Sequence, residues 1–406
     1  MNTCEVCGHE DLQVVLDLGL HPLCGDLVEI GSSRRCREYP IQIYCCPRCL
    51  TAHQSVQVPK KELFPANYHY RASNTADVLN GMRSLVDACV AKLGDLHHRK
   101  VLDVGCNDGS LLSIFREKTC AETFGIEPTN AARDAQSAGH QVIQDFFTEE
   151  VARSFVQRFG LPDVITFTNV FAHIEDLPSL LRAVGLLMHS GTTLVVENHY
   201  FGSVLDRNQF DTFYHEHPRT YSFTSFKFIA QTLGCRISDL AFPSRYGGNI
   251  RVMMQPISQP SHEADHEDVL LREQSFGQQL ALMQLNISRW HEKKLAEVVD
   301  LVSQHGPLPA KAFPGRAAIA IKLLGLDERH ISAVHEKPGS KKIGHYVPGT
   351  RIPIVSDDEL DLSALQKPLL NLAWHINDEI GAYLKGRGFR GQIVNIISEE
   401  DFAQLR

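Results

Sequence analysis

The chain has no surplus of positive charge: its 406 residues carry 40 Lys and Arg against 48 Asp and Glu, a formal net charge of -8. Binding a phosphate backbone needs basic residues massed on one face, so this balance speaks against a nucleic-acid partner. The chain also lacks any apolar run near the roughly 18 to 20 residues that cross a bilayer, and it opens without a basic stretch followed by an apolar one. No membrane partner and a cytoplasmic location are therefore expected. Internal repeats and low-complexity stretches are missing too. What remains, 43% hydrophobic and 22% charged residues, is the composition of a folded globular chain rather than a disordered one. At this length two or three domains are expected.

The eleven cysteines are unevenly spread, with seven in the first 49 residues. In a long chain without a secretory leader, such clustering points to metal rather than disulfides. Cys4-x2-Cys7-Gly and Cys46-Pro-Arg-Cys49 form two C-x2-C knuckles. Each knuckle offers two thiolates from one tight turn, and together they complete a tetrahedral zinc site with no open position for substrate, hence a structural one. Cys45 breaks the spacing, and Cys24 and Cys36 stand in reserve. The flanking run YPIQIY at 39–44 reads as strand, and so small a module needs such a staple.

Between about Tyr68 and Leu93 the spacing of Val78, Leu79, Met82, Leu85, Val86 and Val90 predicts a helix. From Lys100 short β runs alternate with helical stretches: VLDV at 101–104, TFGI at 123–126, VITF at 164–167 and TLVVEN at 193–198. That alternation implies a parallel sheet covered by helices. A long polar helical stretch from about Glu263 through Trp290 to Val302 opens a third unit, which continues through AAIAIKLLG, HISAVHE, IPIVS and QIVNII. The expected architecture is α/β throughout: a zinc-binding module over 1–66, a helix plus a Rossmann-like S-adenosylmethionine-binding domain over 67–255, and a C-terminal α/β substrate-binding domain over 256–406.

The segment VLDVGCNDGSLL at 101–112 reads as strand, glycine-rich turn and helix, with Gly105 and Gly109 permitting a tight turn and a close approach to a ligand. Glu127, some 20 residues on in GIEPT, is placed to accept hydrogen bonds from both ribose hydroxyls. The turn is not the G-x-G-x-x-G of a dinucleotide site; its pattern is Asp103-x-Gly105-x-Asn107-x-Gly109. An acidic residue at the end of the first strand favours a cationic ligand group such as the methionine amine over a phosphate, so the reading is S-adenosylmethionine. Asp145 and Phe146, with Phe147 beside them, are candidates for the adenine edge and face. Asn169, after VITFT, is a candidate to face the cofactor from the fourth strand.

The densest group of acid and base side chains is FDTFYHEHPR at 210–219, holding Tyr214, His215, Glu216 and His217. It follows an apolar strand and so falls at the carboxyl edge of the sheet, where open α/β folds bind ligands. A histidine beside orienting groups suits general base catalysis near neutral pH. The H-E-x-x-H spacing of a zinc protease is absent.

Together CEVCG, CPRCL, NYHYRAS, VLDVGCNDGSLL, GIEPTNAA, NVFAHIED, FDTFYHEHPRTYSF, YGGNIRV and YVPGTRIPI run in order over almost the whole chain. They resemble the sugar C-methyltransferases that act on nucleotide-linked keto-deoxysugars, of the tetronitrose and mycarose C-3-methyltransferase type. The resemblance implies three domains, a structural zinc, S-adenosylmethionine, and a nucleotide-linked keto-sugar gripped between the outer domains of a monomer or small homo-oligomer. It implies His217 as the base, Glu216 orienting it, Tyr214 on the substrate, and Tyr70, with Tyr68 as neighbour, reaching in from the N-terminal side. His215 is the alternative base, and His173 matches a family position. Two stretches depart from the pattern: Phe313-Pro-Gly-Arg-Ala-Ala replaces a Gly-Ala-rich turn, and His335 stands where an acidic residue is usual. Lys341, Lys342, His345 and Tyr346 are candidates for a diphosphate. Two other readings stay open, an O- or N-methyltransferase on the same scaffold, and a zinc-ribbon binding protein with a degenerate cofactor fold.

Overall fold

A computed structural model describes residues 3–65, 70–74, 76–258 and 266–402. Tyr68 and the expected first boundary at 66 and 67 lie outside the described residues. No helix among the described residues is long and apolar enough to cross a membrane.

At the N-terminus, Ile41 and Ile43 are buried while Gln42 between them is only partly so, the alternation of a half-covered strand. That strand, Glu38–Cys45, sits in an antiparallel sheet ordered Gln13–Pro22, Glu38–Cys45, Ala52–Gln54, Arg219–Thr220. The fourth strand arrives from far along the chain. The small module thus has its edge closed by residues that directly follow the Tyr214–Pro218 segment.

The central sheet is ordered Cys235–Ala241, Asn249–Pro256, Thr193–His199, Val164–Thr168, Lys100–Val104, Glu122–Ile126, Gln141–Ile143. Asn249–Pro256 runs antiparallel to both neighbours and the other strands pair in parallel. Neighbouring residues of one strand feed opposite faces: Leu102, Ile165 and Leu194 join one core, Val101, Val164 and Val195 the other. Strands buried on both faces explain the near-continuous apolar runs in the sequence. Chain order reverses at Lys100–Val104, which lies between Glu122–Ile126 and Val164–Thr168, so a ligand crevice is expected beyond its carboxyl end.

The helix expected before this sheet forms over Ala76–Leu93 and buries Val78, Met82, Leu85, Val86 and Cys89. Val90, which the sequence pattern had placed on the buried face, is exposed. At 100° per residue the stripe through 78, 82, 85 and 86 continues to Cys89, and Val90 turns past its rim.

The last sheet is wholly parallel and ordered Ile354–Ser356, Ile331–Glu336, Leu308–Lys311, Leu369–Asn371, Ile393–Asn395. AAIAIKL forms the helix Ala317–Leu323, with Ala317 to Ile321 all buried. The long helix Phe276–His305 carries the fully buried Trp290, whose indole nitrogen donates to Ile396 O at 3.0 Å and whose ring packs on Phe210 at 4.8 Å. The outer units also meet directly: His345–Tyr346 pairs antiparallel with Val28–Glu29, and Lys322 forms an ion pair with Glu38.

Helix Phe223–Thr232 begins on a buried carboxylate. Glu273 accepts from the amides of Phe223 and Thr224, the Thr224 hydroxyl and the Tyr200 hydroxyl at 2.6 to 2.9 Å. These charge-assisted bonds satisfy amides that a helix start leaves without partners. Glu273→Ala strands four donors, two of them fully buried, and is expected to destabilise the fold by about 3 kcal/mol; an unchanged urea midpoint contradicts this.

Candidate active site

The four knuckle thiols converge. Cys4, Cys7, Cys46 and Cys49 place their sulfurs within 4.8 Å of one another, with Cys4–Cys49 at 3.4 Å and Cys7–Cys46 at 3.5 Å. A tetrahedron with bonds of roughly 2.3 Å has edges of roughly 3.8 Å, so the set fits one zinc ion. Both turns use the same backbone scheme. Gly8 N donates to Cys4 O and Cys4 N to His9 O; Leu50 N donates to Cys46 O and Cys46 N to Thr51 O. Gly8 and Leu50 take the left-handed φ values of 69° and 55° that close such a turn. Cys45, Cys24 and Cys36 stay outside the cluster.

The second knuckle is docked on the central domain. Ser222 and Ser225, which cap helix Phe223–Thr232, both donate to Cys49 O at 3.1 Å. Gln54 N donates to Pro218 O, the Gln54 side-chain amide to Tyr214 O, and His215 Nε2 lies 3.2 Å from Tyr39 O. His215 is thereby built into the zinc module, where burial lowers its pKa to about 4. Arg219, fully buried, spans Glu5 beside the first knuckle, the Ile174 and Glu175 carbonyls and the Tyr221 hydroxyl.

At the crevice of the central sheet, Gly105 and Gly109 have φ of 74° and 78°. A Cβ on Gly105 would lie 2.5 Å from Val170, and one on Gly109 2.8 Å from His140. Both glycines are thus required by backbone conformation and by close packing. Glu127, buried, accepts from the Asn107 amide at 3.0 Å and from the Thr129 amide and hydroxyl. A carboxylate has about four acceptor directions, so one remains for a ligand hydroxyl. Asp103 is buried with Thr166 donating to it at 2.7 Å, and burial raises its pKa to about 7. An ammonium group beside it would reverse that rise, so the donor set suits the methionine end of S-adenosylmethionine. Asn169 takes φ 53° after the fourth strand, accepts from Asn249 at 3.3 Å, and has a buried Nδ2 with no hydrogen-bond partner among the described residues. Asp145 is exposed, Phe146 half-buried under Lys60 at 5.0 Å, and Phe147 is core. A surface cleft of about 450 Å3 between Arg71, Arg83, Asp108 and Asp134 includes none of Asp103, Glu127 and His217.

Tyr70 joins this turn through its backbone: Asn107 donates to Tyr70 O at 3.3 Å and accepts from Ala72 N at 3.0 Å, while Arg71 pairs with Asp134. The Tyr70 side chain is half-exposed, and no described contact joins its ring to His217.

His217 is buried at the centre of an aromatic and imidazole cluster, its ring 4.3 Å from Tyr214, 4.8 Å from His173 and 5.1 Å from His199. Its Nδ1 lies 2.9 Å from Thr212 O. A carbonyl only accepts, so Nδ1 carries the proton and Nε2 presents a lone pair. Thr212 O thus orients the ring; Glu216, expected in that role, gives its backbone carbonyl to His173 Nδ1 at 2.5 Å. Burial pushes the His217 pKa well below 6.5, and His173 and His199 oppose a charge there further. His199 itself is held to about 3.

From the C-terminal sheet, Arg316 pairs with both oxygens of the fully buried Asp211, at 2.8 and 2.5 Å, and Trp374 donates to the same carboxylate at 2.8 Å. His335 is buried, with Nδ1 3.4 Å from Ser356 O. Lys342 donates to Phe313 O, and the Tyr346 hydroxyl accepts from Gly31 N. These residues hold loops together in this state. Thr212, Asp211 and Arg316 lay inside stretches already singled out, whereas His199 and Trp374 carried no local signal for the site.

Three family models match consecutive stretches: a "Putative zinc binding domain" over residues 4–64, a "Methyltransferase domain" over 76–240 and a "C-methyltransferase C-terminal domain" over 244–397. The C-methyltransferase NovU of Streptomyces niveus is 29% identical over 395 residues, covering 94% of this chain and 91% of that protein. The ubiquinone biosynthesis O-methyltransferase of Escherichia coli is 32% identical over 121 residues, 29% of this chain and 47% of that protein. The crystal structure of magnesium protoporphyrin IX methyltransferase from Synechocystis with bound SAH matches 44% of this chain and 83% of that one, at 15% identity and a TM-score of 0.35.

Chelation of the zinc is expected to raise amide hydrogen exchange in residues 43–54 and 214–220 together, because their strands are paired; exchange that rises only in the first 65 residues contradicts the coupling. The folded chain keeps the Asp103 proton that an unfolded one loses near pH 3.8, so this group's contribution to stability is present below pH 3.8 and is lost as pH rises through about 7. Asp103→Asn is therefore expected to melt higher than the parent at pH 8, equally near pH 4, and to bind S-adenosylhomocysteine more weakly. Equal melting at pH 8 contradicts it.

Proposed function

We propose that the chain is an S-adenosylmethionine-dependent sugar C-methyltransferase with a zinc-binding N-terminal module, and that it methylates the carbon next to the ketone, C-3, of a nucleotide-diphosphate 4-keto-deoxysugar. The observation that carries this reading is the setting of His217: buried, so that its charged form is disfavoured, and with Nδ1 2.9 Å from Thr212 O, which leaves the lone pair on Nε2. S-adenosylmethionine supplies an electrophilic methyl on a sulfonium. Asp103, Asn107 and Glu127 would hold it, with the Asn169 amide beside them.

His217 would take the proton from carbon at Nε2. A ring whose charged form is so disfavoured removes a C–H proton only where the charge left behind spreads onto a carbonyl oxygen; the oxyanion in turn stabilises the imidazolium. Tyr214, whose ring is tilted against that of His217 at 4.3 Å, would donate to that oxygen, and Tyr70 is a second candidate. Thr212 keeps the imidazole in one tautomer. A ketone-bearing ring is thus the substrate class that this site suits, and strong oxygen or nitrogen nucleophiles would have no need of the arrangement.

With such a keto-sugar, the new methyl is expected on carbon by NMR, and His217→Ala is expected to abolish turnover with S-adenosylhomocysteine affinity within about two-fold. Because the pKa of His217 is lowered, kcat/KM should hold its plateau to below pH 6.5 before falling. Methyl on oxygen or nitrogen, or undiminished turnover in the variant, overturns the reading.

A further inference from the structure

In the C-terminal sheet, chain order reverses at Leu308–Lys311, which lies between Ile331–Glu336 and Leu369–Asn371. Open α/β sheets bind ligands outside the carboxyl ends of the strands at such a point. The two loops that leave the crevice there are residues 312–316 and 372–374. Ala312 takes φ 60°, a left-handed value that a side chain resists, and its amide is held by His335 O.

Both loops end on one carboxylate. Arg316 closes a two-point ion pair on Asp211, Trp374 donates to Asp211 Oδ2, and the guanidinium lies 5.3 Å over the indole ring. Asp211 sits in the turn Phe210–Thr212, one residue before the carbonyl that fixes His217. The Thr212 hydroxyl donates to Gln209 O at 2.6 Å, and Gln209 donates to Gly247 O, so the turn has a fixed attachment on the central domain as well.

We propose that Arg316, with Trp374, is a positioning residue that ties the ligand crevice of the C-terminal sheet to the base through Asp211 and Thr212. The inference rests on the reading of His217 as the base. Fork-to-fork geometry fixes the Asp211 carboxylate and so anchors the turn that carries the next carbonyl. Occupation of the crevice then bears on the same two loops that hold the base in its working tautomer. The groups that face the cluster are His173 and His199 against His217, His375 and Arg245 against His199, and Asp211 and Glu216 against Cys24. Arg316 opposes protonation of His199, His217 and His375 alike.

The test uses the full-length, zinc-loaded protein with Arg316→Met, Arg316→Lys and Trp374→Phe, the last keeping the ring and losing only the indole donor. Histidine-labelled NMR should show the His217 midpoint moving up and its Nδ1–H tautomer losing population in Arg316→Met, with partial recovery in Arg316→Lys. Turnover should fall about 10- to 100-fold in Arg316→Met and less in Trp374→Phe, with S-adenosylhomocysteine affinity within about two-fold. An unmoved midpoint and tautomer in both Arg316→Met and Trp374→Phe overturns the proposal. The NMR readout needs no substrate, so failure of the keto-sugar reading remains a separate result.

Discussion

The segment 210–220 is held from two sides, and the rest of the site follows from that constraint. On one side, Arg219–Thr220 pairs as an edge strand with Ala52–Gln54, directly after the second cysteine knuckle. On the other, Asp211 is fixed by Arg316 and Trp374. Between them a carbonyl and an imidazole meet at 2.9 Å. The base proposed for this loop needs such anchoring, because a neutral ring in the wrong tautomer offers an N–H where a lone pair is required.

The zinc module therefore has a second consequence beyond its own folding. Its buried residues, such as Leu16, Ile41 and Ile43, join the core of the larger domains, and its free edge is closed by the chain that follows His217. Arg219 reinforces the link by reaching Glu5 and the Ile174 and Glu175 carbonyls together. The cysteine site, the edge strand and the His217 loop form one mechanical series. The cofactor crevice is built separately, from the turn after Lys100–Val104, and joins the series where Asn169 and His173 follow the fourth strand.

What the sequence made legible was local. The C-x2-C pairs, the turn with Gly105 and Gly109, and Glu127 about 20 residues later are patterns set by one turn or one strand-helix unit, and each appears in the structure where its spacing placed it. The β runs at 101–104, 123–126, 164–167 and 193–198 were legible for the same reason. Contacts between distant segments were not. Nothing in the spacing of 210–219 shows that the Thr212 carbonyl meets the ring of His217, because that depends on how a 3-10 turn folds back. Nothing near Arg316 or Trp374 names Asp211 as their partner. Val90 and Cys89 changed places on the helix face, since a period read from apolar residues alone passes over a buried thiol.

The most direct measurement is deuterium wash-in at the carbon beside the ketone, with S-adenosylhomocysteine in place of the donor, so that proton removal is seen apart from methyl transfer. The account predicts exchange at C-3 of the keto-sugar in the parent protein and none in His217→Ala. Exchange that persists without the imidazole, or is absent from a parent protein that still methylates carbon, would contradict it.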